Sequence, residues 1–200
     1  MNEDLGRGHP HRPMRRTVLA AVLGVALLSL PIEAQEGVSF PTQDGGLIFA
    51  DVYGEGTHAI VLAHGARYDK ESWSAEAREL AEAGFRVLAI DFRGYGESKG
   101  PGQEDPLSAP LHLDVLAAVR YLRAQGAETV SVVGGSMGGY SAADASAESE
   151  PGEIDRLVVL GAGAGSSPEK LTGRKLFITA RECLYRIRVN VPGIPVGSGQ

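Results

Sequence analysis

Short apolar runs alternate with amphipathic stretches from residue 38 to residue 180, and this alternation constrains the fold more than any other feature. The runs fall at 59–63, 86–90, 129–133, 157–160 and 176–179. Residues 73–83 set Trp73, Ala77, Leu80 and Ala81 at helical spacing and stop at Gly84. Residues 111–123 form the longest helical pattern, with Leu113, Leu116, Ala117, Val119 and Leu122 facing inward. A strand that is apolar at consecutive positions has both faces buried, the condition of a parallel strand covered by helices. The expected fold class is therefore α/β, a mostly parallel, doubly wound sheet with helices on both faces. Leu47–Tyr53 alternates with period two behind the turn Asp44-Gly45-Gly46, so it predicts an early antiparallel strand. In such sheets the loops at the carboxyl ends of the strands carry the site. Residues 35–180 show neither an internal repeat nor a linker, which predicts one domain.

Composition narrows the function classes. The chain is 43% apolar and 22% charged, enough apolar surface to bury a core. Cys183 is the only cysteine, which excludes a disulfide scaffold. A net charge of −6 without a basic stripe argues against nucleic acid as a partner. No cluster of His, Cys and Asp at ligand spacing points to a metal.

The amino end differs from the rest. Met14-Arg15-Arg16 precedes the uncharged residues 18–30 and then Pro31-Ile32-Glu33-Ala34, the pattern of a secretory signal peptide cleaved near Ala34. The uncharged stretch 17–32 is short of the roughly 20 residues that a helix needs to cross hydrocarbon. Residues 1–34 are expected to be a leader with its core at about 14–34. The mature chain would then be secreted or periplasmic, meeting a membrane only through that segment. An uncleaved anchor and a twin-arginine signal are the alternatives.

Three loops carry unusual chemistry. Gly134-Gly135-Ser136-Met137-Gly138 lies between a predicted strand and a predicted helix, the context that G-x-S-x-G requires. Gly134 and Gly138 let helix and strand approach there, and the serine sits where helix N–H groups favour developing negative charge. The plainer readings are a glycine-rich turn or a phosphate loop, but the Gly-Lys-Ser/Thr of a P-loop is absent. The second loop is His64-Gly65-Ala66-Arg67. The third is Asp91-Phe92-Arg93-Gly94-Tyr95-Gly96-Glu97-Ser98.

In this order and at this spacing, the three loops resemble those of α/β-hydrolases of the small dienelactone-hydrolase or serine-esterase type, over about residues 38–180. The resemblance implies that Ser136 is the nucleophile and that the Met137 amide supplies one oxyanion donor. The other would come from Ala66, with Arg67 as the alternative. His64, Gly65, Asp91, Arg93, Gly94, Gly96, Gly134 and Gly138 would shape the loops rather than react. A small-molecule acyl substrate is implied, with no cofactor and no metal. Arg67, Tyr68 and Trp73 either line an acyl pocket or serve packing. Residues 161–175, too few for a helical cap, predict an open mouth. Oligomeric state is not legible.

The pattern breaks toward the carboxyl end. The resemblance implies the order serine, acid, histidine. Glu182 is the one carboxylate near the expected acid position. The five histidines are His9, His11, His58, His64 and His112, and none follows Ser136. Residues 35–180 carry a net charge of −9, whereas residues 181–200 carry +2. This change predicts an irregular tail at 181–200 and an incomplete domain at 35–180. The sheet is expected to lack its final strand and helix, the chain having departed from a longer parent near 181–183. The alternative to a hydrolase is a catalytically inactive fragment or binding module of the same fold.

Overall fold

The computed structural model describes residues 35–106, 108–161, 175–180 and 183–188. The apolar runs become strands of a single sheet. In chain order the elements are β1 (Glu36–Pro41), β2 (Leu47–Tyr53), β3 (His58–Ala63), a 3-10 turn (Lys70–Trp73), α1 (Ser74–Glu82) and β4 (Arg86–Ile90). There follow α2 (His112–Ala124), β5 (Thr129–Gly135), α3 (Met137–Glu148), β6 (Arg156–Leu160), β7 (Lys175–Ala180) and β8 (Cys183–Arg188). The strand order is β1-β2-β4-β3-β5-β6-β7-β8. The strands from β4 through β7 run parallel, while β1, β2 and β8 join antiparallel at the two sides. The α/β class and the antiparallel strand at Leu47–Tyr53 are both present.

Two differences from the sequence expectation concern the edges. β1 was not anticipated, because among its residues only Phe40 is buried. An edge strand with one inward side chain carries too little period-two signal to read. At the other side, Cys183–Arg188 is a strand within the stretch expected to be an irregular tail. It pairs with β7 from Lys175↔Arg188 to Ala180↔Cys183. Only two residues separate β7 from β8, which allows antiparallel return and rules out a helical crossover.

Alternation within β3 explains the two layers. Ala59, Val61 and Ala63 face a core shared with α2 and α3, including Val115, Leu116, Val119, Leu122 and Ala142. Ile60 and Leu62 face a smaller core built with Ala77 and Ala81 of α1. Successive strand residues point to opposite faces, so a five-residue apolar run serves both layers.

One buried ion cluster ties the loop after β4 to the rest. Arg93 and Asp114 are both 0% exposed. Arg93 donates to Asp114 through Nε at 2.9 Å, through Nη2 at 2.6 Å and through its backbone N–H at 3.0 Å. The far side of the guanidinium reaches Asp44 in the β1–β2 turn and the Pro101 carbonyl. Arg93 holds the Asp44 carboxyl well below its usual range, at about 2. The planar fork of arginine thus joins α2, the β1–β2 turn and the β4 loop at one point. Removing one partner of a buried pair strands the other charge. Arg93→Ala is therefore expected to lower unfolding free energy by roughly 3–5 kcal/mol, read by urea denaturation.

Candidate active site

β5 ends and α3 begins at Ser136, whose backbone is at φ 49°, ψ −112°. It is the only non-glycine residue with positive φ among the described residues. Such a conformation costs a side-chain-bearing residue about 1–3 kcal/mol and persists only where the surroundings impose it. The surroundings are backbone. A Cβ built on Gly134 would lie 2.2 Å from the Gly138 carbonyl oxygen, and one on Gly138 would lie 2.2 Å from that of Ala63. The first turn of α3 is therefore pressed onto the ends of β5 and β3, and the chain can enter it only through a tight bend. The Ser136 amide donates to Leu160 O at 2.8 Å, and Ser136 O accepts from Gly139 and Tyr140. Ser136 is exposed, while Met137 behind it is buried.

The loop after β3 lies against this bend. A Cβ on Gly65 would be 3.6 Å from Ser136 Cβ and 3.4 Å from Tyr68 Cδ2. Ala66 and Arg67 are exposed, and Tyr68 is 63% exposed. His64 is fully buried, and its tautomer follows from its partners. The Phe92 amide approaches Nε2 at 3.2 Å, and an amide can only donate, so Nε2 carries no proton. Nδ1 carries it and donates to Gly65 O at 2.9 Å. Burial pushes the imidazole below its ordinary pKa, and the neighbouring rings of Phe92 and Tyr95 meet it edge-on. With both nitrogens engaged, His64 holds the loop and is not a base for Ser136.

In the third loop Asp91 is buried and accepts the Lys70 amide at 2.8 Å. Burial raises its carboxyl above the usual range. Gly94 and Gly96 turn the chain with positive φ, and the Gly94 amide donates to Ser98 O at 3.0 Å. Tyr95, which the sequence did not single out, donates its hydroxyl to Ala66 O at 2.8 Å. Its position inside the third motif was the available signal. Trp73 lies beside Gly135, 3.7 Å from where a Cβ would be. Its indole N–H is buried without a hydrogen-bond partner. A cleft of about 570 Å³ on the β1–β2 side holds Lys70 among Asp51, Glu71 and Asp91, and Ser136 is not in its lining.

Neither remaining described histidine is placed at the bend. His58 opens β3, at the opposite end of the strand from Ser136, and bonds Thr129. His112 opens α2 and faces Glu148 at 3.2 Å. Glu182, the proposed leader 1–34 and most of the 161–175 connection lie outside the described residues. Among the described residues no group of three or more His, Cys, Asp or Glu could hold a metal ion. None of the described helices is long and apolar enough to cross a membrane.

Two outcomes follow from this geometry. Gly138→Ala puts a methyl group into a carbonyl that cannot withdraw without moving β3, so a loss of more than about 2 kcal/mol is expected in thermal or urea unfolding. His64 has its folded pKa below its unfolded value of about 6.5. Below that pH the unfolded chain binds a proton that the folded chain refuses, so the contribution is complete above it and declines as pH falls. Urea stability is expected to drop between about pH 7 and pH 5, less steeply in His64→Gln.

The α/β-hydrolase fold family model matches residues 58–193. A 2-hydroxy-6-oxononadienedioate/2-hydroxy-6-oxononatrienedioate hydrolase of Burkholderia vietnamiensis is 34% identical over 139 residues, 66% of this chain and 46% of that protein. Among solved structures, an epoxide hydrolase from an endophytic Streptomyces is 31% identical with a TM-score of 0.54, covering 64% of this chain and 37% of that one. An esterase from Exiguobacterium antarcticum is 26% identical with a TM-score of 0.56, covering 64% and 46%. The chain thus spans less than half the length of these relatives, all of which are hydrolases. The sheet order, the strained serine between β5 and α3 and these matches agree: the chain belongs to the α/β-hydrolase fold family.

Proposed function

We propose that this chain carries the nucleophile of a serine hydrolase acting on small carboxylic esters or similar acyl substrates, with Ser136 in that role. The observation that carries the reading is the exposed Ser136 at positive φ, on a bend imposed by backbone packing. A hydroxyl held clear of the sheet at a helix amino end is suited to attack an electrophilic carbon. As the Oγ–C bond forms, the carbonyl electron pair moves onto oxygen, and the amides of Met137 and Ala66, or Arg67 in its place, would receive that charge. Among the described residues neither amide has a backbone acceptor. The serine proton passes to a base and then to the departing alcohol; water next releases the acyl group by the same route. None of the described histidines is placed to be that base.

The Burkholderia vietnamiensis relative acts, by its name, on a small molecule, 2-hydroxy-6-oxononadienedioate or its trienedioate analogue. The ester preference proposed here rests on the serine and the amides, which suit a tetrahedral acyl intermediate. The leader pattern adds that this chemistry takes place in a secreted or periplasmic setting. A fluorescent fluorophosphonate, which forms an Oγ–P bond and expels fluoride, tests the reading on the full chain. Labelling of the wild type but not of Ser136→Ala is expected, with the adduct on Ser136 by mass spectrometry. No labelling of the wild type would favour a non-catalytic module of the same fold.

A further inference from the structure

The two amides offered above as oxyanion donors in the β3 loop belong to consecutive peptides, and each peptide is held through its carbonyl. A trans peptide is planar, so its N–H points opposite to its C=O. None of the described peptide bonds is cis. The Gly65 carbonyl, which shares a peptide with the Ala66 amide, takes His64 Nδ1–H at 2.9 Å and the Tyr68 amide at 3.0 Å. The Ala66 carbonyl, which shares a peptide with the Arg67 amide, takes the Tyr95 hydroxyl at 2.8 Å. The first peptide has two anchors from its own loop. Among the described residues Tyr95 anchors the second, and it comes from the loop after β4.

Tyr95 is itself well placed to act as a fixed post. Its amide donates to Phe92 O at 2.9 Å, and its carbonyl accepts from Ser98 at 2.9 Å. Its ring stands edge-on to His64 with centroids 4.7 Å apart. Its hydroxyl also lies 3.8 Å from Met137 Sδ, on the residue that follows Ser136. A single phenol therefore contacts both the β3 loop and the first residue of α3. Burial raises its pKa, which keeps it a donor across the neutral range.

We propose that Tyr95 is a positioning residue for the oxyanion-binding loop: by holding the Ala66 carbonyl, its hydroxyl sets the Ala66–Arg67 peptide beside Ser136. The residue touches no reacting atom. Its effect is exerted through the peptide, so it should change how well the transition state is held and leave binding of the probe alone. This rests on the reading of Ser136 as nucleophile and of the Arg67 amide, the N–H of that peptide, as the β3-loop donor; the test separates the positioning role from the nucleophile.

The experiment is the time course of fluorophosphonate labelling of the full chain at several probe concentrations. Each protein yields a half-saturation concentration, a limiting rate and a final labelled fraction. Loss of a whole oxyanion donor lowers rate by about 10²–10³. Loosening one through Tyr95→Phe is expected to lower the limiting rate by about tenfold or more, with half-saturation unchanged within about twofold. The limiting rate belongs to molecules that remain folded, so partial unfolding lowers only the labelled fraction, which circular dichroism checks. A Tyr95→Phe protein that labels at the wild-type limiting rate overturns the positioning role while leaving Ser136 in place. A loss confined to half-saturation or to labelled fraction also overturns it, since that is what a purely structural tyrosine would give. A wild type that does not label at Ser136 overturns both readings together.

Discussion

The close crossing of α3 over the ends of β5 and β3 is the constraint on which the site depends. Two glycines make it possible, because a methyl group at either would enter a carbonyl oxygen at 2.2 Å. Once the backbones are that close, the residue between them has no route into the helix except through positive φ. The fold then provides the compensation: β3, β4, β5 and β6 are neighbours in one parallel stack, buried by helices on both sides. A tightly packed scaffold of this sort resists relaxation, so local strain is retained instead of being spread along the chain.

Around that bend, three loops form a chain of mutual support. Arg93 anchors the β4 loop to α2 and the β1–β2 turn through charge-assisted hydrogen bonds. The anchored loop presents the Phe92 amide, which fixes the tautomer of His64. It also presents the Tyr95 hydroxyl, which holds the Ala66 carbonyl. His64 in turn holds Gly65, against the side of Ser136. The orientation of the second loop therefore depends on the third.

Much of this was legible in the sequence, and for physical reasons. The interior strands read clearly because burial on both faces leaves nearly continuous apolar runs. α1 read clearly because its pattern stops at Gly84, which takes φ 89°. Ser136 stood out because helix and strand signals flank a short motif. The edge strands did not read, since Gly37, Pro41 and a single buried Phe40 leave β1 with little pattern. Partnerships across the chain were also hidden: Asp44 and Asp114 meet Arg93 from 49 and 21 residues away. The role of His64 was expected to be structural, but only the direction of the Phe92 amide reveals which nitrogen carries the proton.

The positive φ of Ser136 has an evolutionary side. Glycine adopts that conformation without the penalty that a side chain brings, and asparagine tolerates it better than most. Were stability the only pressure at this position, drift would run downhill toward glycine. A lineage that keeps serine there does so against that gradient, whereas one that has dropped the chemistry has reason to shed it. The identity of this one residue across descendants is thus a gauge of whether the hydroxyl is still in use.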